Sequence, residues 1–292
     1  MTEFQKGSLA LVLACVIWGL STLFYKQLSH VAPAEVLAHR TIWSFVTFGS
    51  ILLLQGRLRL VWASVRVVRQ LGISCFSALT ISLNWFIFIF SIGVGRALEA
   101  SIGYYIYPLV AVVIGFVVLR EKLTPVQWGA VALAGLAVLV LTVGLGVAPW
   151  ISLVLAVSFA AYGLLKRWID AGPVVSVTVE TLLLTPFALL FLLIWGQGAF
   201  FWGWFEALLL TVSGLITAAP LVLFSYAAKR VPMSTTGLIL YLNPTLQFLV
   251  AWLIFAEPVS QWHAIALPMI WLALALYSWS VLRPSARDTG QT

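Results

Sequence analysis

The chain has 292 residues, of which 62% are hydrophobic and 9% charged, with a mean hydropathy of +1.08 and a formal net charge of +7. A soluble domain is about half apolar and about a quarter charged, so these charges are too few to coat a globule of this size, and lipid is the natural solvent. The basic residues are scattered over many short loops with no continuous patch, which removes nucleic acid as the reason for the positive charge.

Ten apolar segments, at 9–28, 34–54, 71–94, 97–119, 125–143, 150–168, 173–195, 205–228, 235–256 and 261–282, each approach the ~20 residues that cross a bilayer core as a helix. The first follows only Lys6 and lacks a small-residue cleavage site, so it is expected to be a retained helix, not a removed signal peptide. Cys15 and Cys75 fall inside spans and are expected to be small buried apolar residues, not a disulfide or metal pair. With a cytoplasmic N-terminus, the inner segments hold Lys6, Arg57, Arg59, Arg66, Arg69, Arg120, Lys122, Lys166, Arg167, Lys229, Arg230, Arg283 and Arg287. The outer segments then hold only Lys26 and Arg96, and Arg40 lies within a span. Positive residues stay inside, so both termini are expected in the cytoplasm, with 285–292 as a polar tail. Trp62, Trp150, Trp168, Trp202 and Trp204 fall at span ends, where tryptophan anchors the interface.

The chain repeats itself. An offset of 136 sets Pro108 on Pro244, Tyr105 on Tyr241, Glu121 on Glu257, Ser77 on Ser213 and Phe88 on Phe224. An offset of 140 sets Pro33 on Pro173, Thr41 on Thr181 and Arg40 on Glu180. Five spans per half is an odd number, so the second half enters from the opposite side. The expected fold is an all-α polytopic membrane protein of ten transmembrane helices in two inverted five-helix repeats, 1–145 and 146–284, with both ends inside. Such repeats are typical of secondary transporters, whose substrate site lies near mid-membrane between the halves.

Polar groups within the spans locate that site. A charge at the centre of a lipid-embedded helix costs about 2.5–3.5 kcal/mol on insertion scales, so it persists where it faces a cavity or a partner. Arg40 and Glu99 share a depth near the outer mouth and have opposite signs, so they are expected to face each other, either as a structural ion pair or as a gating or substrate-binding pair. Glu180 lies near the inner mouth with no basic residue evident at its depth, and is expected to be able to carry a proton. Polar stripes at helical spacing run through Ser77, Thr80, Asn84 and Ser91; Arg40, Ser44 and Thr47; and Ser213, Thr217 and Pro220. Asn84 and Asn243, with Trp18, Trp85, Tyr104, Tyr105, Tyr107, Tyr162 and Tyr241, could line an aromatic pocket with a few polar points, the usual make-up of small-molecule sites. Pro108 and Pro244 sit mid-span, each freeing a carbonyl, and are expected as static kinks or as paired hinges.

These residues resemble a known group. "REKLTPVQWGA" and "FAEPVSQWHA", after spans four and nine, are similar to the EamA-type drug/metabolite transporters. "LAHRTIWS", "LNWFIFIFSI", "LEASIGYYIYPLV" and "VETLLLTP" resemble the RarD subfamily, over essentially the whole chain. The family often has Asn before the first-half proline; here Tyr107 stands there, while Asn243 keeps the pattern in the second half. The resemblance implies a multi-pass permease of the bacterial cytoplasmic (inner) membrane, with relatives that export amino acids or other metabolites.

The function expected is secondary-active, alternating-access transport of a small organic metabolite or drug. Outward movement of amphipathic or zwitterionic compounds such as amino acids is favoured, with protons as a candidate coupling ion, no cofactor, and a monomer or homodimer in the lipid bilayer. No G-x-x-x-x-G-K-[ST] loop is present to cradle ATP, no H-E-x-x-H to hold a metal and no G-x-S-x-G serine elbow. A passive facilitator of the same fold is the nearer alternative, and an intramembrane enzyme the more distant one.

Overall fold

The structure, a computed structural model, describes residues 1–120, 122–146, 148–228, 230–231 and 239–282. Glu121, Lys229, Arg283, Arg287 and the expected polar tail at 285–292 lie outside the described residues. The elements, in order, are α1 (Glu3–Gln27), α2 (Pro33–Leu54), α3 (Arg59–Arg66), α4 (Val68–Gly93), α5 (Ala97–Leu119), α6 (Pro125–Leu145), α7 (Trp150–Lys166), α8 (Pro173–Trp195), α9 (Trp204–Ala228), α10 (Leu242–Leu249) and α11 (Gln261–Leu282). A 3₁₀ turn at Ala199–Phe201 precedes α9, and a π-helical turn at Val250–Ile254 extends α10. Among the described residues there is no strand. Among the described residues eight helices are long and apolar enough to cross a membrane, while α7 and the Leu242–Ile254 stretch are shorter apolar helices. Those two stand where spans six and nine are expected.

Local chemistry sets the helix ends. Helix α1 starts at Glu3, before the expected residue 9, because Thr2 and Gln5 form a capping box that carries the helix into the polar leader. Pro33 and Pro173 open α2 and α8, where a missing N–H costs nothing. The chain leaves α5 through Arg120 at φ 55° and leaves the π turn through Ala256 at φ 53°, the only non-glycine positive-φ positions among the described residues. Four residues after each comes an N-terminal cap: Thr124 and Gln127 form a capping box before α6, and the Ser260 N–H donates to His263 Nδ1 before α11. Arg120 and Ala256, Thr124 and Ser260, Gln127 and His263 all sit at the 136-residue offset.

Helix α3 is not among the expected elements. Its eight residues bury Val61 and expose Trp62, a face too short to register as a span. Pro108 lies inside an unbroken α5. Pro244 lies within the expected span, next to a break in its helix. Ile239 and Leu240 are helical, Tyr241 forms a turn, and Pro244 falls in the first turn of α10. Proline has no N–H to bond the Leu240 carbonyl, so the ladder breaks there.

The main helix contacts all join the first half of the chain to the second. Helix α1 lies on α9 and α10, and α7 lies on α4 and α5; α2 contacts α8 and α9, α8 also contacts α4, and α6 pairs with α11. The polarity is that of a protein in lipid. Leu54, Leu193 and Trp195 are 88%, 84% and 66% exposed, whereas Glu180 and Asn84 are 1% exposed. The interfacial tryptophans Trp62, Trp150, Trp168, Trp202 and Trp204 are all exposed. Cys75 is exposed on α4, not buried as expected, because it lies on the face of α4 away from its partners; Cys15 is buried.

In lipid no hydrophobic drive holds helices together, so close backbone approach matters more. A Cβ on Gly103 would stand 2.8 Å from the Ser152 carbonyl oxygen where α5 meets α7, whereas Gly129 faces open space. Gly103→Leu is therefore expected to destabilise the purified protein by about 1–3 kcal/mol, read as a lowered melting temperature, while Gly129→Leu leaves it nearly unchanged.

Candidate functional site

A column of polar and aromatic side chains runs through the middle of the helix assembly. At one end stands Arg40, 7% exposed, on α2. Its Nε donates to Thr217 Oγ1 of α9 at 3.0 Å. Its guanidinium lies 4.3 Å from the ring centre of Trp85 on α4 and 5.2 Å from that of Tyr25 on α1. Beside it, Asn84 donates to the Leu155 carbonyl and to Ser158 Oγ, both at 3.0 Å, and accepts from the Tyr104 hydroxyl at 2.9 Å. Asn84 thus ties α4, α5 and α7 with one amide.

Phe159 continues the column. Its ring meets those of Tyr104, Tyr107 and Tyr162 at 5.9, 5.0 and 6.1 Å. Tyr162 then donates to Glu180 Oε2 at 3.3 Å. Glu180 Oε1 also receives Ser77 Oγ at 2.6 Å and lies 2.5 Å from Lys166 Nζ, which in turn reaches Ser176. Thr217 and Ser77 belong to corresponding stripes on α9 and α4, and Arg40 and Glu180 to corresponding positions on α2 and α8. Each charged group crosses to the other half of the chain.

Two expectations fail here. Arg40 and Glu99 are not partners. Glu99 pairs with Arg96, one helical turn earlier in the chain, while Arg40 is held between aromatic rings. Glu180 does have a basic partner. Lys166, read as an inner-loop charge, sits at the last turn of α7 and folds back onto it.

Carboxylates fasten the two ends. Glu257 accepts from the Ala97 and Leu98 N–H groups at 2.8 and 2.7 Å, closing the N-terminus of α5. Glu35 accepts from the Gln197 and Ala199 N–H groups at 2.7 and 2.8 Å, holding the 3₁₀ turn. At the end of the column nearer Glu180, Gln70 at the start of α4 donates to Asp170 Oδ2 at 3.0 Å and to the Trp168 carbonyl at 3.2 Å.

The remaining expected residues lie off the column. Tyr105 donates to Thr245 Oγ1 at 2.8 Å, and with Tyr241 and Trp271 it lines a groove of about 580 Å³ between α5, α10 and α11. Trp18 packs on Phe224 at 6.2 Å. Asn243 accepts from Gln247 at 3.0 Å, and its carbonyl lies against Gly19 of α1. Tyr25, Phe159, Lys166 and Thr217 were not among the expected site residues. Thr217 stood in a recognised stripe; the others carried no signal that separates them from ordinary packing or loop charge.

The model of the EamA-like transporter family matches residues 5–143 and again 148–279. The chain belongs to that family. Within it, the chain falls in the RarD subfamily: it is 44% identical over 279 residues to Protein RarD of Streptomyces exfoliatus, covering 93% of this chain and 88% of that one. It is 40% identical over 290 residues to an uncharacterized transporter of Pseudomonas aeruginosa (98% and 97% covered) and 37% identical over 288 residues to one of Bacillus subtilis (96% of each). A crystal structure aligns with a TM-score of 0.60 at 17% identity, covering 98% of this chain and 99% of that one, which shows a shared fold. This member of the EamA-like family is a multi-pass integral membrane transporter.

Pairing in this EamA-like transporter is tested by charge reversal. Arg40→Glu with Glu99→Arg is expected to rescue nothing. Lys166→Glu with Glu180→Lys is expected to recover part of the melting temperature lost by either single reversal, each of which costs on the order of 3 kcal/mol.

Proposed function

We propose that the chain is a secondary-active, alternating-access exporter of a small amphipathic organic metabolite, amino acids among the candidates, in the bacterial inner membrane. In this reading there are ten spans, α7 and the segment through α10 included, with both termini in the cytoplasm. The halves, 1–145 and 146–284, are inverted copies, and the column between them is the transport path. The observation that carries the reading is the reciprocal crossing of the two buried charges: Arg40 of the first half bonds Thr217 of the second, and Glu180 of the second bonds Ser77 of the first. A path built across the seam of two halves opens when the halves rock, first at one end and then at the other.

The fasteners supply the gates. Glu257 on Ala97 and Leu98, Glu35 on Gln197 and Ala199, and the Arg96–Glu99 pair close the outer end. Gln70 on Asp170 and the Lys166–Glu180 pair close the inner end. The turn at Tyr241 before Pro244 and the π turn at Val250–Ile254 give α10 places to bend, and Pro108 gives α5 one. Glu180, wrapped by Lys166, Ser77 and Tyr162, is the group through which a proton can be exchanged for cargo. In proteoliposomes, flux of the cargo is expected to be driven by an imposed proton gradient, and Glu180→Gln is expected to abolish that drive while leaving downhill exchange. Cysteines at 99 and 180 are expected to react with an impermeant thiol reagent from opposite faces of the membrane. Reaction of both from one face, or a Glu180→Gln protein that still concentrates cargo, contradicts the reading.

A further inference from the structure

The accounting of buried charge leaves one group over. Among the described residues every acid has a partner other than Arg40. Glu3 pairs with Lys6 and Arg230, Glu99 with Arg96, Glu180 with Lys166 and Glu206 with His30. Glu35 and Glu257 are occupied by backbone N–H groups, and Asp170 by Gln70. Arg40 has only a neutral hydroxyl and two aromatic faces. Its Nη1 is fully buried and without a hydrogen-bond partner. The Ser44 hydroxyl, one turn further along α2, and the hydroxyl of Tyr25, whose ring lies against the guanidinium, are also buried without partners. The guanidinium nitrogen and these two orphaned hydroxyls form a cluster that asks for an acceptor, since buried polar groups are as a rule hydrogen-bonded.

We propose that the Arg40 cluster binds the carboxylate of the cargo, and that the cargo crosses as an organic anion with an aromatic or apolar body. The proposal rests on the transporter reading above and narrows its substrate class from amphipathic metabolites, amino acids included, to organic acids that carry no ammonium. A carboxylate matches the guanidinium fork in charge and planarity. It can accept from Nη1, from Ser44 and from Tyr25 at once, while Trp85 and Tyr104 present aromatic surface to the body behind it. The other end of the column explains why the cargo carries net negative charge and is not a zwitterion held at both ends. Glu180, the column's acid, is occupied by Lys166, Ser77 and Tyr162, and Glu99, whose Oε2 is buried without a hydrogen-bond partner, is neutralised by Arg96, so neither acid carries an unpaired charge for a substrate ammonium. Arg40 is enclosed by α1, α4 and α9, so the anion reaches it once the outer or inner fasteners have parted.

The test uses the purified full chain and radiolabelled phenylacetate, indole-3-acetate and N-acetylphenylalanine, each against its primary amide. At least one acid is expected to bind, its amide at least tenfold more weakly. Arg40→Gln is expected to weaken the acid at least tenfold and leave the amide unchanged, with Arg40→Lys recovering part of the loss. Ser44→Ala and Thr217→Val, milder changes that keep the charge, are expected to weaken the acid severalfold and serve if Arg40→Gln does not fold. Equal binding of acid and amide, or full acid affinity in Arg40→Gln, overturns the proposal and makes Arg40 a helix pin. Vesicle flux separates this failure from that of the transporter reading. Movement of amides or amines without acids sinks the anion and keeps the transporter. Arg40-dependent acid binding with no solute moved keeps the anion site and sinks the transporter. Absence of acid binding in the wild-type protein counts against the proposal.

Discussion

A guanidinium held among helices that lie in lipid is the constraint from which the rest of this structure can be understood. Placing such a charge at the centre of a membrane helix costs about 2.5–3.5 kcal/mol on insertion scales. Two ring faces return about 2 kcal/mol when desolvated, and the Thr217 hydroxyl returns part of the remainder. This arrangement needs α1, α2, α4 and α9 together at one depth. That requirement explains why α2 contacts α9 and why α1 lies against α9 and α4. The glycines at the closest approaches, Gly19 on α1 and Gly214 on α9, have neighbouring backbone or Cβ atoms where a side chain would go. The packing and the buried charge are one solution to one problem.

The second buried charge is handled differently. Glu180 has a lysine, a serine and a tyrosine, so its charge is compensated within the protein. Arg40 and Glu180 stand at corresponding positions of the two halves, yet one is saturated and the other is not. The 140-residue offset thus pairs two sites of opposite sign, and the sequence has made them unequal. The same divergence shows at the prolines. Pro108 is absorbed into a continuous α5, whereas Pro244 follows a break at Tyr241 and precedes a π turn. The helix ladder is thus continuous at the proline of one half and interrupted near that of the other, which makes α10 the first candidate for a hinge in the proposed rocking.

Much of this was legible before any coordinates. Spans stand out because twenty apolar residues are a long-range signal, and α5, α8 and α11 begin and end where the composition changes at Ala97, Pro173 and Gln261. The depth of Arg40, Asn84 and Glu180 follows from counting along a helix. What counting along one helix cannot give is azimuth and neighbour. Arg40 and Glu99 were expected to face each other, but Arg40 is held by Trp85, Tyr25 and Thr217, while Arg96 reaches Glu99 within one turn. Lys166 looked like a loop charge because its Cα is at the helix end, but its long side chain folds back to Glu180, as lysine stems commonly do. Glu35 and Glu257 gave no signal because their partners are backbone N–H groups, which every sequence carries. Phe159 is one of many phenylalanines, and only its meeting with three tyrosines sets it apart.

The account stands on the two ends of one column opening in alternation. Pulsed electron–electron spin distances in lipid nanodiscs measure this directly, with one label pair at Gln70 and Asp170 and another at Arg96 and Pro258. As cargo and proton gradient are varied, the account requires the two distances to change in opposite senses, one lengthening as the other shortens. Two distances that stay fixed, or that lengthen together, would contradict it.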